Sequence, residues 1–339
     1  MKIEKGRVLL AAGLLFLGFA FSGEQAVSQY KKDVQIRYFD GTSASGQSIG
    51  QMEKTEETRD PEGIPAVAAW NAERNIKVEN PDLPFDDRVL CIIVKGDKEQ
   101  VIKDPLLEGG YGYRDDEEAC IISKGTAWKL FGSTHVVGKY VICKGKNWVI
   151  RGVADSNDSY VILTAGRLKL MGYQNLSFSY RDRDRIQGKT EELMMRYSVS
   201  NDGVMIDGSF YHGAARLAFS FPFWILLFVI CRTLAVTGKR KKFPGYRIIM
   251  IILAAAGTVI LIKWSFCFPQ EFIPSKWSDF GFWTEKFQSV KENINQIAQL
   301  PKSLIDVRIV RTFYQCIINS AVSGCFFLAN FGCRRYAIG

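Results

Sequence analysis

The sequence predicts an α+β domain inserted between one membrane-spanning helix and a three-helix membrane bundle. Three observations predict it. Four stretches of the 339-residue chain are apolar over, or nearly over, the roughly 17–25 residues that a bilayer-crossing helix needs. Clusters of Lys and Arg flank those stretches. Residues 24–213, between the first stretch and the second, mix short strand-patterned and helix-patterned segments without strict alternation, which points to α+β rather than a doubly wound sheet.

The first apolar stretch runs from Val8 to about Phe21, after Lys2, Lys5 and Arg7. Ala20-Phe21-Ser22 also suits a signal peptidase, so the residues alone leave both a cleaved leader and an uncleaved anchor open. The second runs from Leu217 to Val236 around Pro222, which membrane helices tolerate. The third spans Ile248 to about Phe268, with Lys263 placed to snorkel. The fourth spans Thr312 to Phe331, where Ser320, Ala321, Ser323 and Gly324 offer a small-residue face for packing against the other helices.

Orientation follows from the short basic segments. Lys2, Lys5 and Arg7, then Lys239 to Lys242 with Arg247, then Arg334 and Arg335, fall on one side of four crossings. That side is cytoplasmic, and it holds both termini. The expected division is 1–23, a cytoplasmic tip and first helix; 24–213, an extracytoplasmic domain; and 214–339, the remaining helices. The last part carries a basic cytoplasmic loop, 237–247, and an outer loop, 269–309. Lys239, Arg240, Lys241 and Lys242 read most simply as a topology determinant touching anionic lipid, with a docking loop for a cytoplasmic partner as the sharper reading.

Within the domain, Val34 to Phe39 alternates as a strand and Asp40-Gly41-Thr42 ends it. Gln51 to Thr58 holds helix formers, and Ala66 to Val78 reads as extended. Arg88 to Val94 and Ala119 to Ile122 are apolar strands. Ser123 caps a helix through Ala127, Trp128 and Leu130 that stops at Gly132. Trp148 to Val153, Tyr160 to Leu163 and Gln174 to Tyr180 are further strands, and Glu191 to Tyr197 is helical. In the outer loop, Phe272 to Trp283 is crowded with aromatics, as in an interfacial belt. Beyond it Phe287, Val290, Ile294, Ile297 and Leu300 recur at helical spacing. They predict an amphipathic helix on the outer membrane surface or docked under the domain, stopped by Pro301.

The formal charge of +9 sits beside apolar stretches, which suits a membrane protein and gives no nucleic-acid footprint. The eight cysteines include no CxxC pair, so neither zinc nor a redox centre is expected. Cys91, Cys120 and Cys143 read as small buried thiols, with one disulfide open among them. Gly188-Lys189-Thr190 has Arg183 where a phosphate loop needs glycine. Gly132 and Gly138-Lys139 are one residue too far apart, with Tyr140 where Ser or Thr belongs. His135, a loop residue, and His212, an interfacial one, are the two histidines, and any Ser–His–Asp triad would have to use one of them. Asp115-Asp116-Glu117-Glu118 and Arg181 to Arg185 read as a solvated turn and a self-neutralised exposed run. No catalytic residue, cofactor or metal is expected.

The stretch from Ala119 to Val153 is the most specific signal. Ala119-Cys120-Ile121-Ile122-Ser123 leads to Ala127-Trp128-Lys129-Leu130-Phe131-Gly132, then Val137-Gly138-Lys139, then Trp148 to Gly152-Val153. It resembles the MacB-like periplasmic core domain of ABC transporter permease subunits, a group related to FtsX-like permeases. Each of these residues has a packing or turn role. Leu130 and Phe131 anchor the helix end, Gly132 caps it, and Gly138 makes a tight turn. Loss of a core anchor at Phe131 is expected to cost about 3–5 kcal/mol.

The order of one helix, a large outer domain and three helices also resembles that family and favours an uncleaved first helix. The resemblance implies a non-catalytic permease-type subunit that transmits ATP-driven motion from cytoplasmic ABC ATPase subunits to its outer domain. It would act as a homodimer, or a heterodimer with a related permease, in contact with membrane lipid. Two features depart from the pattern. Thr237 to Gly245 matches a Gly-Ala-x-Arg-like coupling segment poorly, and the outer loop is long. The alternative is therefore a membrane-anchored extracytoplasmic binding or sensing protein without ATPase coupling. A membrane-anchored hydrolase using surface carboxylates is a third reading.

Overall fold

The computed structural model describes residues 2–39, 41–113, 116–168, 172–240, 244–269, 272, 280–299 and 304–338. The first elements are α1 (Lys2–Ser28), β1 (Asp33–Arg37), α2 (Gly46–Arg59), β2 (Ala66–Glu79), β3 (Asp86–Gly96) and β4 (Leu106–Gly109). β5 (Ala119–Ser123), α3 (Lys124–Phe131), β6 (Tyr140–Cys143), β7 (Lys146–Ala154), β8 (Tyr160–Thr164) and β9 (Asn175–Ser179) follow. The chain closes with α4 (Ile186–Arg196), β10 (Val204–Asp207), α5 (Gly208–Arg240), α6 (Pro244–Ser265), α7 (Phe280–Gln299) and α8 (Leu304–Ile338). These form a sheet unit, Lys32–Asp207 with Lys276–Ile305, and a helical unit, Met1–Lys31 with Gly208–Ser275 and Asp306–Gly339.

The sheet unit is α+β. Its strands run in the order β10-β1-β9-β2-β3-β8-β5-β7-β4, with β6 pairing β2 and β7. β3–β8 and β5–β7 are parallel and the other pairs antiparallel. β5 and β8 are buried at every position, which explains why Ala119 to Ser123 and Tyr160 to Thr164 read as unbroken apolar runs instead of alternating. β2 is long and turns past a bulge between Glu73 and Ile76, where Asn75 takes a positive φ of 60°. Helices cover the sheet through apolar stripes: Ile49 and Met52 on α2, Ala127 and Leu130 on α3, and Ile186, Leu193 and Met194 on α4. The buried indoles keep partners, Trp70 Nε1 donating to Ser177 Oγ and Trp148 Nε1 to the Cys143 carbonyl.

The helical unit obeys a different packing rule. Ser323 Oγ donates to the Gly13 carbonyl at 2.8 Å, and a Cβ on Gly13 would meet the Phe327 ring at 2.6 Å. Gly324 lies equally close to Ile225 and Phe221. The small residues of α8 thus let α1 and α5 approach its backbone. α6 joins α5 through Trp224 Nε1 donating to Ser265 Oγ and Arg216 Nε donating to the Trp264 carbonyl.

Among the described residues, three stretches are long and apolar enough to cross a membrane: Gly6–Ser28, Gly208–Thr233 and Arg308–Gly332. In α6 the described apolar stretch is shorter, Ile251–Ser265. The expected division at 23/24 and 213/214 falls inside α1 and α5, because both helices continue through polar residues that an apolar count excludes. Glu24 and His212 are those residues, and they are buried against each other. α7, in the expected outer loop, groups with the sheet unit. The expectations for Lys241, Lys242 and Asp115, for most of the aromatic segment (273–279), and for Leu300 and Pro301 lie outside the described residues.

Candidate functional site

The stretch 119–153 forms one continuous strand–helix–turn–strand device. Ser123 ends β5 and caps α3, its Oγ accepting from the Thr126 amide at 3.2 Å. The same Oγ accepts from the Tyr160 amide and so ties the cap to β8. Leu130 is wholly buried in the core. Gly132 ends the helix in the left-handed region at φ 65°, its amide bonded to the Trp128 carbonyl. Gly138, at φ 87°, turns the chain, and its amide donates to the Ile150 carbonyl of β7. At Gly152 a Cβ would stand 2.7 Å from the Gly110 carbonyl, so the approach of the next segment requires glycine there. Phe131 differs from expectation. It is only partly buried, with the Lys139 ammonium 5.3 Å above its ring, because it flanks the helix end while Leu130 points into the core.

A second arrangement concerns how the chain enters and leaves the sheet unit. β1 follows α1 and β10 runs directly into α5. These two strands are hydrogen-bonded neighbours, with Val34 opposite Asp207 and Arg37 opposite Val204. α7, which lies between α6 and α8 in sequence, joins the same edge through Asn293 Nδ2 donating to the Met205 carbonyl of β10. All four chain links to the helical unit therefore lead from this edge or from the helix bound to it.

Within the helical unit, α1 and α5 meet through a buried pair, His212 Nε2 standing 3.3 Å from Glu24 Oε1. Sequence reasoning placed His212 at an interface and passed over Glu24. The available signal was that Glu24 is the one acidic residue of the Gly6–Ser28 stretch. Lys239 and Arg240 fall at the end of α5.

The other charged features are engaged in structure. Asp116 accepts from Arg151 Nε at 2.8 Å and caps the Glu118 amide, so residues 116–118 form a turn pinned to β7. His135 is exposed beside Glu108. Asp182 is held below the usual carboxylate range by the Lys189 ammonium and the Asp184 amide. A groove of about 260 Å³ between α2 and α4 is lined by both signs of charge, including Glu56, Asp60, Lys189 and Arg196. Burial raises the Glu56 pKa, but hydrogen bonds from Tyr197 and Arg196 at 2.7 Å outweigh it and bring the net value below normal. Lys98 is buried, its Nζ donating to the Tyr113 carbonyl, and burial lowers its pKa. No group of three or more potential metal ligands occurs among the described residues.

No protein-family model matches the chain, and no curated protein matches it. Solved structures do align with it. One is the extracellular domain of the noncanonic ABC-type transporter YknZ from Gram-positive bacteria, at 18% identity and TM-score 0.41, covering 51% of this chain and 99% of that one. Another is the periplasmic region of MacB from Actinobacillus actinomycetemcomitans, at 10% identity and TM-score 0.43, covering 53% of this chain and 90% of that one.

Proposed function

We infer that the chain is a non-catalytic, permease-type subunit of an ABC transporter. In this reading α1, α5, α6 and α8 cross the membrane, both termini are cytoplasmic and the sheet unit is extracytoplasmic. Motion driven by a cytoplasmic ATPase passes along the helices and reaches the sheet unit for export or envelope-associated work. The observation that carries this reading is the convergence of chain links on one sheet edge. β1 follows α1 and β10 precedes α5 in the chain, and the two strands are bonded to each other, so motion of those helices would act on a single paired edge. The motif at 119–153 supports the same family by the packing and turn roles of its residues. Lys239, Arg240, Lys241 and Lys242 are the candidate contact for the ATPase, in a homodimer or a heterodimer with a related permease.

Purification of the tagged full chain from its native membrane, after mild crosslinking, tests the reading. An ABC ATPase is expected to co-purify, and charge removal at 239–242 is expected to reduce its yield. Recovery without any ATPase would refute the coupling and favour a membrane-anchored binding or sensing protein, the reading to which the poor match of 237–245 points. Single-cysteine labelling tests topology separately. Probes at Asp97 and Trp283 should react from outside, and a probe at Lys241 only after permeabilisation.

A further inference from the structure

α1 and α5 are the helices that lead into β1 and out of β10, and Glu24 and His212 join them. Glu24 lies near the end of the Gly6–Ser28 apolar stretch, and His212 near the start of Gly208–Thr233. Both side chains are buried, at 5% and 2% exposure. His212 Nε2 stands 3.3 Å from Glu24 Oε1, and the other carboxylate oxygen accepts from Gln25 Nε2. Among the described residues Glu24 has no Lys or Arg partner, so a proton on the pair is what offsets its charge. His212 Nδ1 is buried and likewise has no partner among the described residues. Ionisable side chains inside a membrane segment are costly, and those retained commonly mark a proton or ion site.

α8 completes the junction. A Cβ on Gly23 would meet Cys316 at 3.0 Å, and Cys316 Sγ donates to the Ala215 carbonyl of α5. Cys316 is thus the titratable group that α8 brings beside the pair. Asp306 and Arg308 lie nearer the start of α8 and are themselves engaged. On α5, Arg216 is turned to Trp264 and Tyr211 stacks edge-on against Phe313. Cys267, just beyond α6, meets α5 at Gly213 through its carbonyl. Lys263 of α6 and Arg311 of α8 are exposed.

We propose that Glu24 and His212 form a proton-binding site that clamps α1 to α5, its ligand a single proton shared by the pair. With one proton the pair is neutral, as imidazolium beside carboxylate or as imidazole beside carboxylic acid. Without it a carboxylate stays uncompensated among three helices, and an unpaired buried charge is strongly destabilising. Opening the junction lets water solvate that carboxylate, and the proton passes to the same water. Proton release and helix separation are therefore linked, so the clamp is closed at low pH and loosens as pH rises. Histidine suits the task, because its charge changes between about pH 5 and 8 in water. The clamp itself stands on this geometry. Its consequence, proton control over the two helices that carry motion to the paired edge, rests on the proposed function.

The test uses the full chain in lipid nanodiscs, where both faces meet the same buffer and no ATPase is needed. Cys316, wholly buried at the junction, reports opening through its rate of alkylation by N-ethylmaleimide. Dividing by the rate at Cys325, exposed on the same helix, removes the intrinsic effect of pH on thiols. Between about pH 5.5 and 7.5 the ratio is expected to rise more than about threefold. Release of one proton limits the rise to about tenfold per pH unit. Glu24→Gln, which keeps the size of the side chain, should abolish the rise, and His212→Gln should raise the ratio at the acidic end. A flat wild-type ratio overturns the site. An unchanged rise in Glu24→Gln overturns it too, because the proton then binds elsewhere. Either result leaves ATPase co-purification and topology labelling to be judged separately, and failure of those leaves this ratio readable.

Discussion

The two units invert each other. In the sheet unit the largest side chains are inside: Trp70, Trp148, Tyr160 and Phe178 are fully buried. In the helical unit many large apolar side chains face outward, Ile251 and Ile260 each being 68% exposed, with Leu14, Phe19 and Phe228 also exposed. Beside a few large side chains such as Phe219, Ile225, Ile309 and Phe327, that unit buries many small or polar ones: Ala20, Ser220, Ser265, Ser320, Ser323, Cys316, and the pair Glu24 and His212. The sheet unit sorts residues against water, so burial of apolar area drives its packing. The helical unit sorts them against hydrocarbon, where apolar side chains gain nothing by leaving the solvent and close backbone contact decides packing.

The sharpest way to break the contrast is to truncate large apolar residues in each unit. Leu130→Ala or Trp148→Ala is expected to destabilise the sheet unit by about 3–5 kcal/mol. Ile260→Ala, equally apolar but facing lipid, should be close to neutral in detergent-solubilised protein. Phe131→Ala should fall between, at about 1–3 kcal/mol, because the ring is only partly covered. Chemical denaturation followed by tryptophan fluorescence reads all four variants. Equal losses at Ile260 and Leu130 would defeat the two-solvent account.

The reverse test adds volume. Gly13→Leu drives a side chain into Phe327 and is expected to cost about 1–3 kcal/mol by separating α1 from α8. The loss should appear as a lower melting temperature of the helical unit. The same substitution at Gly18, where a Cβ meets nothing within 4 Å, should leave it unchanged.

A smaller effect is expected at Glu56, whose carboxylate is held by Arg196 and Tyr197. Its folded pKa lies below its unfolded value, so the native state binds fewer protons than the unfolded chain. The stabilisation is full above the unfolded carboxylate value of about 4.3 and is lost as pH falls through the folded value. Glu56→Gln should therefore melt lower than wild type at neutral pH, and the gap should close below about pH 4. A gap independent of pH would mean that the side chain acts by packing alone.

What was legible in the sequence follows the same division. Strands buried on both faces, the Ser123 cap and the Gly132 stop carry their signals locally, so β5, α3 and β8 could be read residue by residue. β4, β6 and β10 are only four residues long, too short to carry a periodic signal of their own. The pairing of β1 with β10, on which the functional reading depends, joins residues far apart in sequence and has no local signature. The pair Glu24 and His212 was invisible for that reason. α1 and α5 run past the apolar stretches read from the sequence, because apolar counting penalises a polar residue whose partner lies on another helix.

α7 is where the two rules meet, and it gives the smallest expected effect. Its apolar series was expected to form one stripe, yet the structure splits it. Val290 and Ile297 are partly covered, along with Phe282, Lys286 and Asn293, on the face toward β10. Trp283, Phe287 and Ile294 stay exposed on an adjoining face, Phe287 at 71%. Lipid contact at that face is the expectation to test, with Asn293 holding the other face to the sheet. Asn293→Ala should therefore cost about 0.5–1.5 kcal/mol, the net worth of one hydrogen bond. It should speed amide exchange across 285–299 in detergent and in lipid nanodiscs alike. Phe287→Ser should leave exchange in detergent unchanged and speed it in nanodiscs alone. If Phe287→Ser raises exchange equally in both, α7 is held by protein contacts only, and its exposed face belongs to the sheet unit's water-facing surface.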